Sequence, residues 1–173
     1  ISTAKRASAA SVTAIVPYYP YARQSHQSDR ARMPIAGADV ARLMEAMGVD
    51  RVLSVDLHCP QIQGFFGPRT PVDNLDGAPA AVDYFHAKDL MNPAVVSPDA
   101  AGVARAKLFM EGLKVSSDVP HRAVCTKIGD HVTLVGDVDG CDVIIVDDLI
   151  DSGTTLTEAA DLCHSRGARR VFG

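Results

Sequence analysis

No stretch of this sequence approaches the roughly 20 consecutive apolar residues that a membrane-spanning helix requires. Positive charge is not in excess either: 17 Lys and Arg stand against 21 Asp and Glu, a formal net charge of −4. That balance argues against nucleic acid or an anionic membrane surface as a partner. Cysteine is sparse. Cys59, Cys125, Cys141 and Cys163 lie far apart with no CxxC spacing, which argues against a disulfide framework and makes a poor zinc set. They read as reduced thiols, and the expected location is cytoplasmic. Low-complexity tracts and short repeats are absent. No signal peptide is visible, and a missing native N-terminus would hide one. The 173 residues suffice for one ordinary domain or for parts of two small ones. The chain opens on Ile1 and stops at Gly173, just as Val171-Phe172 starts a strand-like run, so it is expected to be a piece of a longer protein.

What is present alternates. Ser11 to Pro17 is a short β-branched run ended by Tyr18-Tyr19-Pro20-Tyr21. Pro34 opens a helical pattern with Val40, Leu43, Met44 and Met47 on one face, and Gly48 suits its stop. Arg51 to Val55 reads as a strand. Gly64 to Asp76, rich in Gly, Pro, Asn and Asp, reads as loop and as a candidate domain boundary. Helix then follows over 79–90, strand over 94–97 and helix over 100–113. Residues 115–130 show no clear period and suggest a loop or an irregular strand. Strands are expected at 132–135 and 142–146, a helix at 154–166, and a last strand after Gly167. Such alternation predicts an α/β fold, with parallel sheets flanked by helices.

The sharpest local signal is Val143 to Thr155, VIIVDDLIDSGTT. Its apolar run is a buried parallel strand, which delivers polar residues at the carboxyl end where α/β sheets bind ligands. Ser152, Gly153, Thr154 and Thr155 offer amides and hydroxyls at a helix N-terminus, a favourable place for a phosphate dianion. Asp147 and Asp148 suit sugar hydroxyls, directly or through Mg²⁺. A plain strand followed by an Asp or Ser cap is the simpler explanation, but a cap needs one acidic residue and this segment has three around its turn.

Three more segments carry chemistry. In YYPYARQ (18–24), Arg23 after an aromatic turn suits a triphosphate, and Gln24 can read an adenine or ribose edge. In DLHCPQIQGFF (56–66), Asp56 and His58 emerge at a strand's carboxyl edge, where an imidazole can serve a metal site. In VVSPD (95–99), Asp99 ends another strand in the equivalent position. His86 and His164 fall within helical patterns and read as surface or packing residues. Lys5-Arg6 reads as a solvated helix end.

VIIVDDLIDSGTT resembles the phosphoribosyl pyrophosphate motif of phosphoribosyltransferases and ribose-phosphate pyrophosphokinases. Together with YYPYARQ, DLH…QIQGFF…VDNL and SPD, in this order, the chain resembles the ribose-phosphate pyrophosphokinases over most of residues 4–173. An ordinary phosphoribosyltransferase would explain the first motif but not the others. The resemblance implies two phosphoribosyltransferase-like domains, 1–75 and 76–173, both expected to be incomplete here. It implies that Arg23 and Gln24 contact ATP, and that His58 and Asp99 bind Mg²⁺. Asp147 and Asp148 would face the ribose hydroxyls of ribose 5-phosphate, and Asp151, Ser152, Gly153, Thr154 and Thr155 would wrap its 5-phosphate. It further implies a homo-oligomer such as a hexamer, with phosphate and ADP as effectors and a subunit contact near Gln63.

The pattern breaks in places. Thr154 stands where the family's phosphate loop usually has Gly, which crowds the phosphate unless Gly153 takes the backbone role. Ala101 replaces a second small Gly. Ser25-His26-Gln27 replaces a more charged stretch. The family's Lys-x-Arg cluster has no counterpart in DVPHRAVCTK (118–127). Either that loop is shifted in alignment, or the catalytic basic roles fall to Arg122 and Lys127, or the chain is catalytically impaired. The last option is a non-catalytic regulatory subunit of the same family. Retained His58, Asp99 and VDDLIDSGTT favour the enzyme.

Overall fold

Two patterns of burial, one in each half of the chain, set the architecture. The computed structural model describes residues 1–27, 33–113, 121–128 and 131–173, and of residues 121, 122, 126–128, 131 and 132 the backbone only. They fall into two compact units, Ile1–Gly77 and Ala78–Gly173. Among the described residues no helix is long and apolar enough to cross a membrane.

The first unit contains α1 (Ser2–Arg6), β1 (Thr13–Val16), α2 (Ala36–Ala46), β2 (Arg51–Val55), a 3₁₀ turn (Pro60–Phe65) and β3 (Val72–Leu75). The strands form a parallel sheet in the order β1-β2-β3. Its core gathers Tyr19, Ala41, Val52, Ile62 and Phe66. Three expectations change. Residues 72–75, read as loop, form β3, because pairing with β2 outweighs the weak strand propensity of Asp73 and Asn74. The buried face of α2 is not Val40, Leu43, Met44 and Met47. Gly37 and Ala41 are buried, with Val40 and Met44 packed partly against the core, while Leu43 is 65% exposed and Met47 is 49% exposed. Small residues win that face because backbone approaches it closely: a Cβ on Gly37 would lie 3.2 Å from the Tyr21 carbonyl oxygen. Lys5 is not merely solvated. Its Nζ lies 2.6 Å from Asp50, whose carboxylate also accepts the Val12 N–H at 2.5 Å. The Lys5 bond, then the Val12 N–H, holds the Asp50 carboxyl below the usual range.

The second unit runs α3 (Ala78–His86), β4 (Pro93–Ser97), α4 (Val103–Gly112), β5 (His121–Ile128), β6 (His131–Val135), β7 (Asp142–Ile145), α5 (Thr154–Ser165) and β8 (Arg170–Phe172). Its sheet has the order β6-β5-β4-β7-β8, parallel except for the antiparallel β5–β6 pair. Residues 121–128, read as aperiodic, thus form a regular strand with partners on both sides. The central strands are buried on both faces, so they show no polar alternation, and side chains divide by the two-residue period. Ala94, Val96, Val143 and Ile145 face α5 with Ala159 and Cys163. Val95 and Ile144 face α3 and α4 with Val82, Phe109, Met110 and Leu113. Each buried Val or Ile side chain contributes about 1.5–3 kcal/mol. All four cysteines are free thiols, and burial pushes Cys163 up to about 11, which makes it a packing residue rather than a nucleophile.

The amino edge of this sheet is pinned by one carboxylate. Asp142 opens β7 with no solvent exposure, and its Oδ2 accepts the Met91 N–H at 2.8 Å while its own N–H donates to the Met91 carbonyl at 3.0 Å. Arg170 reaches Oδ2 at 2.6 Å and Oδ1 at 3.1 Å, and Arg169 bonds Oδ2 as well. These bonds, the Arg170 contact foremost, hold the Asp142 carboxyl far below the usual range. Asp142→Asn keeps the shape and removes the charge, so we expect a loss of about 2–4 kcal/mol in urea unfolding, discounted for the partly exposed arginines. The carboxyl is depressed on folding, so its stabilisation is present above about pH 4 and is lost as pH falls further. The variant should therefore show a shallower acid loss of stability than the parent; identical acid slopes would remove Asp142 from that role.

Candidate active site

β4 and β7 are neighbours, yet the helices that follow them cover opposite faces of the sheet, α4 one and α5 the other. This is a topological switch point, and the crevice beyond the carboxyl ends of such strands is where α/β sheets take ligands. β4 leads into Asp99 and β7 into Asp147 and Asp148. The two exits are tied by the Val146 N–H to the Val96 carbonyl at 2.9 Å.

The Asp99 turn is tightly built. Ser97 Oγ donates to the Asp99 carbonyl at 2.6 Å, and the Gly102 N–H donates to Asp99 Oδ1 at 2.8 Å. A Cβ on Gly102 would lie 2.7 Å from Ser97 Oγ, 3.4 Å from Arg105 Nη1 and 3.5 Å from Asp99 Oδ1. A side chain there would have to displace Ser97 Oγ, and Asp99 and Arg105 flank the same spot. From the first turn of α4, Arg105 sends Nη1 to Asp147 Oδ1 at 3.4 Å and Nη2 to Asp148 Oδ1 at 3.1 Å. Burial, and next the adjacent Asp148, push the Asp147 carboxyl above the usual range, against the pull of Arg105.

The hydroxyl-rich turn follows. Gly153 adopts φ +79°, a left-handed conformation, directly before α5. It therefore supplies the strained backbone position, and Thr154 begins the helix with ordinary geometry and an exposed side chain. Ser152 Oγ lies 3.0 Å from Thr154 Oγ1 and accepts the Thr154 N–H at 3.4 Å. Thr157 closes the first turn by donating its N–H and Oγ–H to the Gly153 carbonyl, at 2.9 and 3.0 Å. Asp151 and Thr155 are exposed on the same turn.

In the first unit, β1 and β2 lie side by side and both loops of interest leave their carboxyl ends. The Tyr18–Gln24 turn is fastened to α2: buried Tyr19 donates its hydroxyl to the Gly37 carbonyl at 2.8 Å, and the Gly37 N–H donates to the Gln24 carbonyl at 3.3 Å. Burial raises the Tyr19 hydroxyl to about 12, so it remains a donor. Arg23 and Gln24 are exposed beyond it. The loop bearing His58 is held to β3 by the Leu57 N–H on Asn74 Oδ1 at 3.0 Å and the Gly77 N–H on Asp56 Oδ1 at 3.3 Å. DLH and VDNL are thus parts of one folded piece. His58 is exposed, and Asp56 and Tyr21 both adopt positive φ, 46° and 56°. Strain at non-glycine residues beside a candidate site is a familiar companion of function.

The structure brings Asp99, Asp147 and Asp148 to adjoining strand ends of one unit, with the 151–155 turn following them. Arg23, Gln24 and His58 occupy one sheet edge of the other unit. Arg122 and Lys127 have backbones in β5, in register with Val95 and Val132 respectively; their side chains lie outside the described residues. Arg105 was missed by sequence reasoning. Its one signal is its place three residues after Gly102, in the first turn of the helix after SPD. Among the described residues no cluster of three or more His, Cys, Asp or Glu converges as a metal cage. The carboxylate oxygens at the β4 and β7 ends are nevertheless hard donors of the kind that Mg²⁺ uses, one or two at a time, with phosphates and water completing its shell.

Residues 76–172 match the phosphoribosyl transferase domain family, the class that this sheet and its hydroxyl-rich turn define. Residues 1–48 match the N-terminal domain of ribose phosphate pyrophosphokinase. Ribose-phosphate pyrophosphokinases of Vibrio vulnificus (strain YJ016) and Shewanella oneidensis are each 45% identical over 174 residues, covering 99% of this chain and 55% of theirs. A crystal structure of phosphoribosylpyrophosphate synthetase from Mycobacterium smegmatis matches with a TM-score of 0.85 and 39% identity, over 98% of this chain and 55% of that one. The chain belongs to the ribose-phosphate pyrophosphokinase family. It spans about half the length of the curated relatives it matches.

Nothing lies within 4 Å of a Cβ placed on Gly153, so substitution there meets conformational strain and no clash. Gly153→Ala should cost about 1–2 kcal/mol in urea unfolding, and Gly153→Asn less, because Asn tolerates the left-handed region. Equal losses for both would mean that φ is not the constraint.

Proposed function

We propose that this chain forms the donor and acceptor sides of a ribose-phosphate diphosphokinase. The anomeric hydroxyl of ribose 5-phosphate attacks the β-phosphorus of ATP, the bond to the α-phosphate oxygen breaks, AMP departs, and the hydroxyl proton is released. The observation that carries this reading is the switch-point crevice of the second unit, where Asp99, Asp147 and Asp148 stand beside a hydroxyl-rich turn opening α5. The products are phosphoribosyl pyrophosphate and AMP. Such phosphoryl chemistry asks for in-line positioning and neutralised charge more than for covalent catalysis.

In this reading the second unit holds the acceptor. Asp147 and Asp148 take the ribose hydroxyls, and Asp151, Ser152, Gly153, Thr154 and Thr155 take the 5-phosphate through hydroxyls and helix-end amides. The first unit holds the donor, with Arg23 on the triphosphate and Gln24 on the nucleoside. Mg²⁺ would supply charge neutralisation on the transferring group, with Asp99 the proposed ligand in the second unit and His58 the proposed ligand in the first. The assembly is a homo-oligomer answering to phosphate and ADP, and the four free thiols suit a cytoplasmic setting.

The remaining need is a cation over the transferring group, with Arg122 and Lys127 the candidates. Backbone register separates them. Ser97, the last residue of β4, pairs with Val124. Arg122 lies two residues before that level, and Lys127 three residues past it, about 10 Å further toward the carboxyl edge. That register supports Lys127 as the cation.

The direct test is AMP release from Mg-ATP by the full-length protein, with and without ribose 5-phosphate. We expect release that depends on ribose 5-phosphate. A folded protein that binds ribose 5-phosphate without releasing AMP would overturn the catalytic reading. In the same assay Lys127→Ala should lower kcat about 100–1000-fold and Arg122→Ala far less; the reverse order would reassign the cation.

A further inference from the structure

We infer that Arg105 is a positioning residue for the acceptor sugar: it fixes the two carboxylates of Asp147 and Asp148 at the spacing that grips vicinal hydroxyls. The inference rests on the reading that this pair binds the ribose.

Adjacent carboxylates just past the end of a buried strand repel each other. Here a single guanidinium reaches both Oδ1 atoms, each through a different nitrogen, at 3.4 and 3.1 Å, and Asp147 Oδ1 also accepts the Asp148 N–H at 2.9 Å. The side chains of Arg105, Asp147 and Asp148 are 27%, 21% and 7% exposed, so the contact is shielded, unlike a surface ion pair that contributes little. A planar fork spans two acceptors at fixed separation, which the single ammonium of lysine does not.

The base of the fork is also fixed. Arg105 stands on α4, whose Ala106, Phe109 and Met110 are packed into the sheet face. The start of α4 is locked in turn by the Asp99–Gly102 bond, with Arg105 Nη1 beside the Gly102 backbone. One guanidinium therefore references the acceptor carboxylates to the Asp99 turn.

The test compares the full-length parent with Arg105→Ala, Arg105→Lys, Asp147→Asn and the Arg105→Ala/Asp147→Asn double variant. Ribose 5-phosphate affinity is read by calorimetry, and melting temperature and KM for ATP are followed in parallel. Arg105→Gln replaces Arg105→Ala if the latter does not fold. We expect Arg105→Ala and Asp147→Asn each to weaken ribose 5-phosphate binding about 10–100-fold. The double variant should be little worse than either single one, because the arginine acts through the carboxylates. Arg105→Lys should recover only part of the loss, and KM for ATP should stay within about twofold of the parent's. Parent-like binding by Arg105→Ala alongside weakened Asp147→Asn would overturn the inference and leave the functional reading standing. Additive losses in the double variant would overturn it too, since the arginine would then act independently. Parent-like binding by Asp147→Asn would overturn the functional reading itself, and the inference with it.

Discussion

The adjacent carboxylates of Asp147 and Asp148 form a charge concentration that a counter-charge relieves. Arg105 supplies it, and much of the second unit follows from that need. The helix that bears it must start close to the strand exits, and a Cβ on Gly102 there would crowd Ser97 Oγ. The strands that present Asp99 and Asp147-Asp148 must be neighbours, which the β4–β7 pairing provides. Their following helices must leave to opposite faces, or one would close the crevice.

The first unit solves a related problem with backbone instead of charge. Two loops carrying exposed polar side chains are fastened by hydrogen bonds: the Tyr19 hydroxyl donates to the α2 backbone, and Asn74 and Asp56 accept the Leu57 and Gly77 N–H groups. Positive φ at Tyr21 and Asp56 is the conformational cost of these sharp turns. Each unit thus spends buried polar contacts to hold a small number of polar groups at one sheet edge.

The parts legible in the sequence were those where local pattern and tertiary role coincide. Val143 to Thr155 reads correctly as strand, turn and helix because its buried run is continuous and its turn residues are chemically specialised. Asp99, Asp147 and Asp148 stand out because strand ends are visible in sequence. Other features depend on partners distant in the chain. β3 exists through β2 and not through the propensity of VDNL. The inward face of α2 is set by the approach of the Tyr21 carbonyl, which favours Gly37 and Ala41 over the larger Leu43 and Met47. Arg105 looks like an ordinary helix-surface arginine until a strand 42 residues later brings Asp147 to it. Residues 121–128 form a strand through partners distant in the chain, β4 on one side and β6 on the other.

The buried Asp142 has a consequence for how motion is distributed along β7. Its carboxylate joins β7 to the segment before β4 and to the start of β8, so three strands share one electrostatic rivet at their amino ends. The carboxyl ends of β4 and β7 lead instead into turns that are largely open to water. Local opening should therefore be graded along a single strand, costliest at the rivet and cheapest where the turns begin. Ligand-side rearrangements can then be absorbed at one end without loosening the other, much as a hinged rule is clamped at its heel.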